Sequence, residues 1–228
     1  MNKRSVENVK KIKTEAYEIV KIQTGPLLTN CYIISDNYKN TAIVDLAFFD
    51  EKIVELIKNN ALQLKFILLT HGHFDHIMVL ETNIFEIIEQ RCPVFINEFD
   101  AELLSDSYKN ASILMNLEVK LSLSNLKTFK DGEIFKLNER LKFKTIATPG
   151  HTKGSCSFLL NDEVLFTGDA LFKNSVGRTD LFSSSPEAAA QTLKKIKLLN
   201  PKLEILPGHG QTTTLEQELK HNPALQLN

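Results

Sequence analysis

Five of the chain's six histidines stand directly after one of three short apolar runs, and this placement constrains the fold more than any other feature of the sequence. KFILLT leads into His71-Gly72-His73-Phe74-Asp75-His76, FKTIATPG into His151, and LEILPG into His209; a fourth run, EVLFTG, delivers Asp169 in the same manner. Apolar runs this short read as buried strands. Strands that share a sheet and run in the same sense carry their carboxyl ends to one edge, so four strand ends can bring seven candidate ligands to one spot. Gly150, Gly168 and Gly208, just before the ligands, permit a tight turn at each strand end. His221 has no such setting and reads as a surface residue.

In an extended stretch, residues two apart point to the same side, so His71 and His73 can grip one ion together. If the chain then turns into a helix from Ile77, Asp75 and His76 swing to a neighbouring position, and the cluster divides into two adjacent sites. Imidazole and carboxylate donors without a thiolate suit Zn²⁺, and also Fe or Mn, and mark a catalytic rather than a structural site. Two sites sharing Asp169 would hold metals about 3.5–4 Å apart, with a bridging water whose pKa falls toward about 7. The implied reaction is hydrolysis.

The remaining pattern supplies the frame. YEIVKIQT, NCYIIS and TAIVDL read as consecutive antiparallel strands, and Glu51–Asn60 as a helix. A helix is expected from Ile77 to Gln90, then a strand PVFIN, then a mostly helical segment from Glu98 to Leu117. Asp131-Gly132 centres a predicted hairpin in TFKDGEIFKL. LKFKTIAT, SCSFLL and EVLFTG follow as strands, the last two joined by Asn161-Asp162. Ser185-Pro186-Glu187 opens a helix running to about Asn200, and a short helix covers Leu215–Lys220. This order suits two sheets packed face to face with helices outside them, one layered domain over residues 1–228 with its core at about 17–225.

Composition narrows the partners. With 43% hydrophobic and 24% charged residues in 228, the chain can bury a core, which excludes disorder, collagen and coiled coil as whole-chain descriptions. Its 27 basic and 28 acidic residues leave a net charge of -1, so no global field gathers nucleic acid or anionic lipid. Cys31, Cys92 and Cys156 form no C-x-x-C pair and fit a reducing compartment. MNKRSVENVKKIKTEAYEIV starts basic but never reaches the apolar stretch of a secretory signal, and no run approaches the ~20 apolar residues that span a bilayer. The expectation is a cytoplasmic protein with a small-molecule substrate, no nucleic-acid partner and no membrane. Oligomeric state is not legible.

THGHFDH (Thr70–His76), PGHT (Pro149–Thr152), FTGDALF (Phe166–Phe172) and PGHG (Pro207–Gly210) resemble the metallo-β-lactamase superfamily in order and spacing. TNCYII, VGRTD (Val176–Asp180) and HNPAL (His221–Leu225) resemble its glyoxalase II-like hydrolases, and the resemblance runs over about residues 17–225. It implies an α/β fold: a four-layer αββα sandwich of two mixed β-sheets flanked by helices. It implies two divalent ions, zinc first, with His71, His73 and His151 on one, Asp75, His76 and His209 on the other, and Asp169 bridging. The implied reaction is cleavage of thioesters of the S-acylglutathione or small acyl-thiol type by a metal-bridging hydroxide that Asp75 orients. Asp45 matches a superfamily acid that supports a ligand histidine, Thr70 and Thr152 are candidates to orient their neighbours, and Arg178 is a candidate substrate contact or a partner for Asp180.

Two departures bear on the substrate. The superfamily usually continues H-x-H-x-D-H-x-G-G, whereas Ile77-Met78-Val79 follow here, bulkier side chains that can narrow the pocket or alter which substrate fits. Leu46-Ala47 likewise stand where Pro and Gly are common. Glyoxalase II carries a carboxy-terminal helical region with basic and tyrosine contacts to glutathione; here LEQELKHNPALQLN holds one lysine, Lys220, and no tyrosine, so glutathione specificity is not implied. A mononuclear iron persulfide dioxygenase, a lactonase or a phosphodiesterase are alternatives on the same fold. A non-enzymatic metal-binding module is disfavoured by the complete ligand set.

Overall fold

In the computed structural model, which describes residues 9–226, every residue of Thr29–Asp36 is buried. Its side chains alternate between two apolar layers, Cys31 and Ile33 entering one, Tyr32 and Ile34 the other. Such a strand belongs inside a sheet covered on both faces. That sheet has seven strands in chain order: β1 (Val9–Lys13), β2 (Tyr17–Thr24), β3 (Thr29–Asp36), β4 (Asn40–Val44), β5 (Gln63–Leu68), β6 (Val94–Asn97) and β7 (Leu126–Phe129). β1 to β4 pair antiparallel and β4 to β7 parallel. A second sheet of six holds β8 (Ile134–Lys136), β9 (Lys142–Ala147), β10 (Cys156–Leu160), β11 (Val164–Gly168), β12 (Glu204–Pro207) and β13 (Thr213–Thr214). Only its β11–β12 pair is parallel.

Three apolar layers hold these sheets and six helices together. Between the sheets lie Tyr32 and Phe66 of the first and Phe135, Phe143, Phe158 and Phe166 of the second. Phe66 meets Phe143 edge to face at 6.0 Å, an arrangement aromatic rings favour. Outside the first sheet pack α1 (Glu51–Asn59), α2 (Phe74–Ile77) and α3 (Ile84–Ile87), through Ile53, Ile57, Ile77 and Ile84. Outside the second pack α4 (Pro186–Lys197), α5 (Leu215–His221) and α6 (Pro223–Gln226), through Leu193, Ile196, Leu215 and Leu225. The expected αββα sandwich is the observed fold. Asp50 accepts the Lys52 amide at the start of α1, and Ser185 accepts the Ala188 amide before Pro186 in α4; each cap contributes about 1 kcal/mol.

Three local expectations are corrected. The helix expected over Ile77–Gln90 is broken into α2, a 3-10 turn (Met78–Glu81) and α3, because the Val79 amide donates to the Ala47 carbonyl and Thr82 turns extended. The segment from Glu98 to Leu117 forms only two 3-10 stretches, Glu98–Ser105 and Ser112–Met115. There Asp106 captures the Tyr108 and Lys109 amides and Asn110 the Ser112 amide, short polar side chains competing with helical bonds. Asp131-Gly132 is not a hairpin but the corner where the chain leaves one sheet for the other, since β7 pairs with β6 and β8 with β9. Asp131 accepts the Ala147 amide and Glu133 the Thr145 amide, which ties this corner to β9.

Asn161-Asp162 does join β10 to β11, with both residues at positive φ as a tight hairpin turn requires. β1, β13 and α6 were not anticipated. Among the described residues no helix is long and apolar enough to cross a membrane. Residues 1–8, the opening of the stretch read for a signal, and residues 227–228 lie outside the described residues.

Candidate metal centre

β9 and β11 both run antiparallel to β10, so they share the sense of β12, and the residues following all three meet those following β5. His71 and His73 follow β5, Asp75 and His76 lie in α2, His151 follows β9, Asp169 follows β11, and His209 follows β12. All seven come together. Three sets of donor atoms each lie within 4.8 Å of one another: His71, His73 and His151; His71, His76 and Asp169; Asp75, His76 and His209. Asp169 stands between the outer sets, Oδ1 being 3.4 Å from His76 Nε2 and Oδ2 3.5 Å from both His151 Nε2 and His209 Nε2.

The outer partners of the rings decide which nitrogen faces inward. The Leu27 and Arg178 carbonyls can only accept, so His209 Nδ1 (3.1 Å) and His151 Nδ1 (2.8 Å) carry hydrogens and donate to them. His76 Nδ1 donates to Asp45 Oδ2 at 2.9 Å. Thr70 Oγ1 gives its hydrogen to Asp45 Oδ2 at 2.8 Å, so it accepts from His71 Nδ1 at 3.0 Å. In their neutral forms these four rings therefore turn a bare Nε2 inward, with outer partners of the type that orients metal-ligating histidines. His73 Nδ1 lies 2.8 Å from His151 Nε2.

Charge differs across the centre. Burial, reinforced by the facing His76, His151 and His73 rings, holds His71 well below the ordinary imidazole range, and burial with His151 brings His73 down to about 3. Both are thus held in the neutral form that ligates. Burial acts the same way on His76, but Asp75, Asp45 and Asp169 outweigh it and raise that ring well above its ordinary value. Burial works to raise Asp169, yet His76, His151 and His71 hold its carboxyl well below the usual range.

A cation fits these residues. His71 Nε2, His76 Nε2 and Asp169 Oδ1 are buried with no hydrogen-bond partner, a costly arrangement that an ion among them would resolve. A Cβ on Gly208 would stand 2.2 Å from Asp169 Oδ1 and 2.7 Å from His76 Cε1, so a side chain there would fill the same space. His209, with 26% of its side chain exposed, is the most open of the ligands that Asp169 contacts.

The other predicted residues fall around this core. Asp45 and Thr70 contact His76 and His71 as described, while the Thr152 hydroxyl turns to Asp100. The Arg178 guanidinium is exposed and paired with Asp180 at 2.6 and 2.8 Å; what reaches the centre is its carbonyl. Ile77 and Val79 are buried in the apolar layer outside the first sheet, and Met78, partly buried, packs against it. Sequence reasoning missed Thr29, which donates to Asp75 Oδ2 at 3.1 Å, and Asp100. Asp100 follows the apolar strand PVFIN just as the ligands follow theirs, and that was its signal.

The chain matches the model of the metallo-β-lactamase superfamily over residues 24–209. It is 34% identical to hydroxyacylglutathione hydrolase GloC of Haemophilus influenzae, over 86% of this chain and 92% of that protein. Among solved structures it is similar to BLEG-1 B3 metallo-β-lactamase, with TM-score 0.81 and 31% identity over 90% of this chain and 98% of the other. It is also similar to TTHA1623 in a di-iron-bound form, with TM-score 0.77 and 29% identity over 89% and 98% of the two chains.

Proposed function

Because the chain belongs to the metallo-β-lactamase superfamily, we propose that it is a metal-dependent hydrolase of thioesters, of the S-acylglutathione or small acyl-thiol type. The observation that carries this reading is the meeting of two ligand sets at Asp169, one built from His71, His73 and His151, the other from Asp75, His76 and His209. The likeness to a hydroxyacylglutathione hydrolase supports the thioester as substrate.

His71, His73 and His151 would hold one ion, Asp75, His76 and His209 the other, and Asp169 would touch both. Zinc suits these donors, as do iron and manganese. A divalent pair in such a centre supplies Lewis acidity, which polarises a carbonyl oxygen and acidifies water. The protein's own groups do the positioning. Asp75 Oδ2, fixed by the Thr29 hydroxyl and 3.2 Å from His209 Nε2, would accept a hydrogen bond from the nucleophile and so orient it. Thiolate is a good leaving group, so no strong general acid is required. Thiol release from S-lactoylglutathione by the zinc-loaded protein tests the reading; absence of release with both ions bound would overturn it.

A further inference from the structure

The carboxylate of Asp100 is fully buried and belongs to none of the three donor sets. It lies in the 3-10 stretch just beyond β6, the parallel neighbour of the strand that leads to His71. Its Oδ2 accepts the Gly72 amide at 3.0 Å and the Thr152 hydroxyl at 2.7 Å, and its Oδ1 accepts the Gly154 amide at 2.7 Å. These donors bracket one ligand set: Gly72 separates His71 from His73, and Thr152 follows His151. A Cβ on Gly154 would stand 2.5 Å from Asp100 Oδ1, so the turn after His151 comes close to the carboxylate only because that residue is glycine.

We propose that Asp100 is the positioning residue of the His71, His73 and His151 set. It ties the loop after β5 to the loop after β9, two segments remote in sequence, and so keeps His73 Nδ1 and His151 Nε2 at 2.8 Å. A buried carboxylate is costly to desolvate, and here three hydrogen bonds from two loops offset part of that cost. Asp45, by contrast, bonds the ligand His76 directly and Thr70 beside His71. Asp100 touches no ligand and acts through the backbone that carries them.

The inference rests on the grouping of ligands proposed above, and zinc release measured against a chromophoric chelator separates the two. His209→Ala, which lacks a ligand of the other set, identifies the two release steps of the wild-type protein. Asp100→Asn keeps the shape but turns an amide NH₂ toward one of the three donors. It is expected to weaken the His71, His73 and His151 step about 10–100-fold, as loss of an outer partner does, and to leave the other step unchanged. Equal weakening of both steps, or of neither, would overturn the proposal. If Asp100→Asn does not fold, Thr152→Val removes one of the three bonds, and a smaller loss confined to the same step is expected; a loss shared by both steps, or none, overturns it. Release of a single ion from the wild type would remove the paired grouping, and the role of Asp100 would then stand or fall on whether that one step weakens in the variant.

Discussion

Asp45 Oδ2 lies 2.9 Å from His76 Nδ1, and both side chains are shut off from solvent. The same carboxylate accepts the Thr70 amide and hydroxyl, each at 2.8 Å, so one acid at the end of β4 orients His76 directly and His71 through Thr70. Replacing it, as Asp45→Asn, is expected to weaken metal retention about 10–100-fold. Competition with a chelator reads this directly, and retention equal to wild type would contradict the role.

Gly208 has no room for a side chain beside the ligands, its Cβ position lying 2.2 Å from Asp169 Oδ1. Gly208→Ala is therefore expected to lower metal content by blocking the space between Asp169 and His76, with the circular dichroism of the protein retained. Elemental analysis checks the first and far-ultraviolet spectra the second. Full metal content in the variant would show that the ion does not occupy that space.

Removing the metals should cost global stability, because ions held only by the folded state shift the unfolding equilibrium. With free ion a thousandfold above its Kd the contribution is about 4 kcal/mol. For a chain of this size each kcal/mol moves Tm by roughly 2–4 °C, so chelation should lower Tm by about 8–16 °C. Calorimetry with and without chelator tests this, and an unchanged Tm would contradict ligation by buried side chains.

Far from the centre, Asp36 joins the β3–β4 turn to the loop before β9. It accepts the Tyr38 and Asn40 amides and the side-chain amides of Asn40 and Asn138. Burial works to raise its pKa, but these bonds outweigh it and hold the carboxyl below its ordinary 3.8. A depressed folded pKa gives stability that is fully present above the unfolded value and is lost as pH falls through the folded one. Asp36→Asn should thus destabilise the protein by about 1–3 kcal/mol at neutral pH. In urea unfolding across pH, the gap to wild type should close in acid; a gap independent of pH would contradict the assignment.

How far these relationships were legible follows from the range over which each is decided. The strands that deliver His71, His151, Asp169 and His209 are short and apolar, and a buried strand end fixes where the next residue goes, so convergence of the ligands was readable. The corner at Asp131-Gly132 was not, because the same two residues turn a hairpin or a sheet crossing, and only the pairing of β8 with β9 decides. From Glu98 to Leu117 the apolar spacing suggested a helix, while Asp106 and Asn110 spend their side chains on nearby amides. Asp100 showed only its place after PVFIN, since its partners Gly72, Thr152 and Gly154 lie far away in the chain.

Metal content and turnover measured on one preparation decide whether His71, His73, His151, Asp75, His76, His209 and Asp169 act together as a hydrolytic centre. Two zinc ions per chain together with hydrolysis of S-lactoylglutathione is the predicted result. One iron per chain, with oxygen uptake on glutathione persulfide and no hydrolysis, would contradict it.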